Sequence, residues 1–308
     1  MTASGPADER VAHAARLLGN RAQGDVPLGP LTTYRVGGPA ALFVEVTDDR
    51  GLEAVASAVG LSGVPVLVVG RGSNLLVADD GWPGLALTLR GSFTDLEAAA
   101  TRVRAGGAVS LPVLARRTAA ASLTGLEWAV GVPGSVGGAV RMNAGGHGSD
   151  ISRTLVRCRV VDLATGEDGE VGSEDLALGY RTSSVAAHQV VAWAAFELAR
   201  GDRQVSEAEI ADIVRWRREN QPGGANAGSV FTNPADDSAG RLIDAAGLKG
   251  HRVGSAYVSP KHANFFQADE GGSADDVLAL IEEVQRLVEE RTGVHLVPEL
   301  RLIGFAGR

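Results

Sequence analysis

Apolar positions along the chain recur with two periods. Between Ala7 and Leu18, the residues Val11, Ala14, Ala15 and Leu18 fall on one side of a helix. Leu42 to Val46 alternates as a strand, Gly51 to Val59 reads as a helix, and Val64 to Val69 is a continuous apolar run of the kind a buried strand shows. Shorter alternations predict strands at 85–89 and 101–105, and an Ala-rich helix follows from Leu111 to Ser122. Thr154 to Leu163 and Val190 to Leu198 read as further strands. Ser206-Glu-Ala-Glu209 has the spacing of a capping box and predicts a helix to about Asn220, stopped by the Gly- and Pro-bearing run 221–228. A last long helix begins at Ser273, with Val277, Leu280, Ile281, Val284, Leu287 and Val288 on one face, and Leu296 to Ile303 closes as a strand. Strands and helices intermix as in a layered α/β or α+β protein, and the texture changes near Ser206, where a last domain is expected to begin.

Two glycine-rich stretches interrupt this pattern. Gly131 to Gly148 holds seven glycines in eighteen residues and no Lys, Asp or Glu. Such a run sacrifices backbone order, so it belongs where backbone must approach something closely. Pro133 pre-sets a turn, Gly134 is placed to take a positive φ, and Ser135 is placed to cap a short helix whose first N–H groups lie bare for a phosphate. The plain alternative is a tight crossing of two backbones. Against it stands a second loop, Gly70-Arg-Gly-Ser-Asn-Leu75, directly after the buried strand. Two phosphate-compatible loops look like a dinucleotide site. Neither loop completes a Rossmann or Walker pattern, which leaves dinucleotide binding by another fold open.

The two loops and four further segments resemble those of the UDP-N-acetylenolpyruvoylglucosamine reductases. The segments are Thr32-Thr-Tyr-Arg-Val-Gly-Gly-Pro39, Gly70 to Leu75, Gly131 to Ala139 with Met142-Asn-Ala-Gly145, Gly179-Tyr-Arg181, Gly228-Ser-Val-Phe-Thr-Asn-Pro234 and Val297-Pro-Glu-Leu-Arg301. They stand in the family's order over nearly the whole chain after its first thirty residues. The resemblance implies a vanillyl-alcohol-oxidase-type FAD-binding region at 1–205, in two subdomains of about 25–97 and 98–205. A smaller α/β substrate-binding domain would fill 206–308, its last strand returning to the first region. It also implies a reaction: NADPH reduces non-covalently bound FAD, and the enolpyruvyl group of UDP-N-acetylglucosamine enolpyruvate is reduced in turn, giving UDP-N-acetylmuramate for peptidoglycan.

By the same resemblance, Ser229 would protonate the intermediate, Arg181 would grip its carboxylate, and Glu299, between apolar neighbours, would serve as a neutral hydrogen-bond donor. Taken alone, each has a bland reading: a loop serine, a surface arginine, a strand glutamate paired with Arg301. For FAD the resemblance implies the backbone of Gly70, Arg71, Gly72, Ser73 and Asn74 and of Gly131, Pro133, Gly134, Ser135, Gly137 and Gly138, with Asn143 near the ring system and Arg35 near the flavin. Tyr34, beside Arg35, reads equally as part of an aromatic-Arg pair near the flavin and as a structural residue. For the substrate the candidates are Tyr180, Arg217, Asn233, Lys261 and His262. Two departures bear on the phosphates: Thr232 and Asn220 stand where many relatives carry lysine. The short stretch from Arg181 to Ser229 matches the family's shorter subtype, and His147 stands where tyrosine is frequent.

Composition narrows the alternatives. A net charge of −8 gives no general attraction to nucleic acid or anionic membrane. The one cysteine, Cys158, excludes an intrachain disulfide, and its alternation with Val156 and Val160 makes it a core thiol. Met1 to Arg16 lacks the apolar stretch of a secretory signal, and no run reaches the ~20 apolar residues of a membrane span. The expectation is a cytoplasmic monomer acting on a small molecule, with no metal, since the six histidines show no i, i+4 pair. A flavin oxidase of the same fold is one competing reading; many attach the flavin through His or Cys, but His147, His188 and Cys158 stand in no evident attachment motif. A nucleotide-binding relative that has lost its chemistry is the other.

Overall fold

The computed structural model describes residues 6–305, so the first five residues of the stretch read above for a signal lie outside it. The chain divides into two compact units: 1–25, 41–71 and 83–216 form the first, and 26–40, 72–82 and 217–308 the second.

The first unit holds two sheets. One is four-stranded, in the order Ala22–Pro27, Pro39–Val46, Trp82–Leu89, Val66–Val68, and its last two strands run parallel with Val66 opposite Leu85. The helix Asp49–Ser62 covers it, burying Leu52, Val55 and Val59 against Val44, Leu85 and Leu87. Asp48 caps this helix and Gly63, at φ 64°, ends it in the left-handed conformation that favours glycine. Ala14 and Leu18 of the helix Pro6–Leu18 join the same core, as their spacing predicts.

The other sheet is antiparallel and five-stranded, in the order Asp168–Gly172, Leu155–Asp162, Gln189–Glu197, Arg102–Gly106, Leu96–Ala99. Its core takes Val103, Cys158 and Phe196 from the strands and Leu111, Leu114, Val136 and Val140 from two helices, Leu111–Ala120 and Val136–Met142. Cys158 is completely buried, and the apolar surroundings push its thiol up to about 11.

The capping-box reading at Ser206 is corrected. The helix runs Arg203–Asn220, and the side chain of Asp202 caps it, accepting from the N–H groups of Gln204 and Val205. Ser206 is buried instead, and its hydroxyl donates to Glu127 at 2.6 Å.

The second unit packs the helix Ala274–Thr292 against the helix Ala239–Ala245 and a small sheet of Arg252–Val253, Ala256–Val258 and Phe266–Ala268. Ser273 caps the long helix as expected, and Val277, Leu280, Ile281, Val284 and Val288 are buried along it. The N–H groups of Ala274 and Asp275 also donate to Asp79, an acid suited to the positive end of a helix. Tyr34 and Val36, from 26–40, lie in this core, so of the two readings of Tyr34 its burial favours the structural one. The expected closing strand is shorter than read: only Arg301–Ile303 is a strand, pairing parallel with Leu75–Val77. Before it, Pro298 meets Phe231 in a single bridge.

Candidate active site

In the first unit Gly70, which opens one glycine loop, lies beside Ser135 of the other. A Cβ on Gly70 would lie 2.5 Å from the Ser135 hydroxyl, so only a bare backbone fits beside it. Ser135 caps the helix Val136–Met142 as expected, its oxygen accepting from Gly138 N–H at 3.4 Å. Gly134, however, does not adopt a positive φ. Of the helix-start N–H groups expected to lie bare, two more are engaged besides that of Gly138. Val136 donates to Val109 O and Gly137 to Gly107 O, each at 2.9 Å. Gly137 therefore serves close approach, since a Cβ there would stand 3.1 Å from Val191 O. The corner 107–109 that fixes this helix was not singled out from sequence; its signal is the pair Gly106-Gly107, where a Cβ on Gly107 would lie 2.0 Å from Val191 O.

Downstream in the first loop, Gly72 (φ 61°) leaves no room for a side chain: a Cβ would fall 2.2 Å from Leu31 O. The bonds here are made by carbonyls, Gly72 O accepting from Thr33 N–H and Asn74 O from Arg301 N–H. The Thr33 hydroxyl is buried with no hydrogen-bond partner among the described residues. Neither 70–74 nor 131–143 contains an acid, while Ser73, Ser135 and exposed Arg71 offer donors. Bare backbone, hydroxyls and guanidinium groups without a carboxylate are what a cofactor's diphosphate calls for, and the residues of each stretch fit FAD.

The helix Val136–Met142 ends at Asn143, left-handed at φ 38° and buried. Its side chain donates to Gly179 O at 2.9 Å and accepts from Ser152 N–H at 3.1 Å. Gly179 and Thr182 close a turn by mutual hydrogen bonds, and Tyr180 and Arg181 occupy its tip. Arg181 is itself left-handed at φ 58°, with its guanidinium 5.3 Å from the exposed ring of Tyr180. A short sequence signal could not have shown this link between the glycine stretch and Arg181.

In the second unit, Ser229 and Glu299 lie on neighbouring segments. Glu299 N–H donates to Val230 O at 2.7 Å and Thr232 N–H to Val297 O at 2.9 Å. On the other side Ser229 bridges Phe265, and Val230 N–H donates to Asn264 O at 2.9 Å. Ser229 and Glu299 are both half-buried. Asn264, within the stretch 260–265 that could line the substrate cleft, is buried and bonds to both polar groups of Phe231. The side chain of Asn74 donates to Glu299 O at 3.1 Å.

Among the substrate candidates, the Asn233 side chain accepts from Ala239 N–H at 3.1 Å, next to a helix start. Arg217 bonds Gln221 at 2.8 Å, and burial draws its pKa down. Lys261 donates to Arg218 O at 2.6 Å. His262 packs edge-on against Phe265, accepts at Nδ1 from Asn264 N–H, and is held below the usual histidine range by burial above all. The Thr232 hydroxyl donates to Val297 O at 3.2 Å. Arg35 is exposed and left-handed at φ 59°. Of the histidines weighed for flavin attachment, His188 bonds Asp162 and His147 meets Trp216 edge-to-face at 5.3 Å. Among the described residues no group of three or more His, Cys, Asp or Glu is arranged to hold a metal ion.

Comparison with known proteins assigns both parts of the chain. Residues 40–171 match the model of an FAD binding domain, and residues 220–303 that of the UDP-N-acetylenolpyruvoylglucosamine reductase C-terminal domain. The UDP-N-acetylenolpyruvoylglucosamine reductase of Rubrobacter xylanophilus is 41% identical over 282 residues, 91% of this chain and 94% of that one. The corresponding reductase of Bacillus licheniformis is 39% identical over 284 residues, 90% and 92% of the two chains. Among solved structures, the UDP-N-acetylenolpyruvylglucosamine reductase of Thermus caldophilus superposes with a TM-score of 0.80 at 34% identity, covering 92% of this chain and 99% of its own.

Proposed function

The chain belongs to the UDP-N-acetylenolpyruvoylglucosamine reductase family, and from that premise we propose that Arg181, Ser229 and Glu299 carry its chemistry. It is an FAD-dependent oxidoreductase of peptidoglycan synthesis, reducing UDP-N-acetylglucosamine enolpyruvate to UDP-N-acetylmuramate with NADPH as reductant. When bound, FAD accepts a hydride from NADPH and delivers it to the enolpyruvyl double bond.

The rest falls to side chains. As negative charge gathers on the substrate's carboxylate and neighbouring carbon, the guanidinium of Arg181 offers two parallel donors to that carboxylate and stays charged throughout. The hydroxyl of Ser229 gives its proton to the alpha carbon; a hydroxyl is a weak acid, but a carbanion is basic enough to take that proton. Glu299, in its neutral form, donates a hydrogen bond to the developing anion. Backbone of Gly70 to Asn74 and of Gly131 to Gly138, with Arg71, Ser73 and Ser135, holds the cofactor's diphosphate. Asn143 and Arg35 are assigned to the cofactor, and Tyr180, Arg217, Asn233, Lys261 and His262 to the substrate. The observation that carries the pairing of donor and acid is the bond from Glu299 N–H to Val230 O at 2.7 Å, which holds one segment beside the other.

No helix among the described residues is long and apolar enough to cross a membrane. The proposal includes a cytoplasmic, monomeric protein with neither a nucleic-acid nor a membrane partner.

The test is an anaerobic spectral titration. Bound flavin should bleach on NADPH addition and regain its colour on addition of UDP-N-acetylglucosamine enolpyruvate. Colour returning only when air is admitted would identify an oxidase, and a protein that binds no flavin would overturn the reading of both glycine loops.

A further inference from the structure

We infer that three asparagines, Asn264, Asn143 and Asn74, are positioning residues, each fixing the main chain that carries one of the three catalytic side chains. The inference rests on the assignment of Arg181, Ser229 and Glu299 made above.

Asn264 is 3% exposed, and its side chain holds both edges of one peptide residue: Nδ2 donates to Phe231 O at 2.8 Å and Oδ1 accepts from Phe231 N–H at 3.0 Å. Its own carbonyl accepts from Val230 N–H at 2.9 Å. Immediately before Ser229 stands Gly228, left-handed at φ 78° with space around it. The Gly228 N–H donates to Asn226 Oδ1 at 3.0 Å within the same loop, and the bonds from Asn264 tie the Ser229 segment to a distant one.

Asn143 does the same for the turn of Arg181. Its amide donates to Gly179 O at 2.9 Å, and its oxygen is fixed in turn by Ser152 N–H at 3.1 Å. Arginine at φ 58° is an unfavourable backbone state that persists only where the surroundings over-determine it. The Asn143 bond, together with Ser183 donating to Arg141 O at 2.7 Å, provides that constraint at both ends of the turn.

Asn74 brackets Glu299. Its side chain donates to Glu299 O at 3.1 Å, and its carbonyl accepts from Arg301 N–H at 3.0 Å. An uncharged amide offers a donor and an acceptor together and adds no charge to a site that has to stabilise an anion. Aspartate has the same shape, yet lacks the donor and sets a negative oxygen against a carbonyl.

Double-mutant cycles on the holoenzyme test this. Asn264→Asp should slow flavin reoxidation by the enolpyruvyl substrate roughly 10- to 100-fold, the scale of a misplacement of about 1 Å. In a Ser229→Ala background the same change should cost nothing further. Asn143→Asp with Arg181→Ala, and Asn74→Asp with Glu299→Gln, should couple in the same way. Amide hydrogen exchange without substrate gives the second readout. Protection should fall only around 229–231, 179–182 and 299–301 respectively. Additive losses in the cycles, or loss of protection spread through the unit, would overturn the inference. If Ser229→Ala leaves reoxidation fast, the catalytic assignment fails instead, and the exchange pattern alone decides whether Asn264 fixes that segment.

Discussion

The side-chain amide of Asn74 donates to the main-chain carbonyl of Glu299 at 3.1 Å, across 225 positions of sequence. Asn74 ends the first glycine loop, and the strand Leu75–Val77 that follows it pairs with Arg301–Ile303, just past Glu299. The loop assigned to the cofactor and the glutamate assigned to catalysis are thus held in one piece of backbone.

Gly70→Ala tests the cradle. The new methyl would lie 2.5 Å from the Ser135 hydroxyl, which is buried and caps a helix and so has little freedom to yield. Loss of that cap alone costs about 0.5–2 kcal/mol. Flavin affinity, read from fluorescence on dilution, should fall by roughly tenfold or more. Unchanged affinity would separate the two loops from cofactor binding.

Glu127 tests the support beneath the glycine stretch. It is buried, and it accepts from Ser206 Oγ at 2.6 Å and from Gly125 N–H at 2.8 Å. Burial pulls its pKa upward, but these bonds outweigh burial and leave it below the usual range. A carboxyl depressed in the folded state stabilises the fold above its unfolded pKa, and that stability is lost as pH falls through the folded value. Glu127→Gln should cost about 1–3 kcal/mol at neutral pH. Its denaturation midpoint should then depend less on pH than that of the parent below the ordinary glutamate range. Parallel profiles would refute the linkage.

Cys158 tests the alkaline side. Its thiol is raised by burial from 9.0 to about 11. Folding therefore favours the proton, so the thiol contributes stability below pH 9 that is lost as pH rises toward 11. The limiting slope is about 1.4 kcal/mol per pH unit. Cys158→Ala should flatten the stability profile over that window, and the native thiol should react with a thiol reagent only on unfolding. Rapid labelling of the folded protein would contradict its burial.

Much of this was legible in local sequence. Ser135 and Ser273 cap helices because each is followed by a run able to turn at once, and the apolar faces at 52–59 and 277–288 are buried as their period requires. At Ser206 a local capping signal lost to a tertiary one: a buried carboxylate, Glu127, needed its hydroxyl, and Asp202, four residues earlier, supplied the cap. Leu296 to Ile303 reads as one strand, yet Pro298 has no N–H to donate and the ladder begins only at Arg301. The joining of 26–40 and 72–82 with 217–308 has no local signal at all, because it depends on pairings such as Leu75 with Arg301. The catalytic candidates came from motif resemblance. The asparagines that hold their backbones were visible only once distant segments were seen side by side.

Rapid-mixing spectroscopy of Ser229→Ala, following each half-reaction separately, bears most directly on the central claim. Flavin reduction by NADPH should proceed at close to the parent rate, while reoxidation by UDP-N-acetylglucosamine enolpyruvate should slow by roughly 10²- to 10⁴-fold. Equal slowing of both halves would contradict the account, assigning Ser229 to the fold or to the flavin in place of the proton.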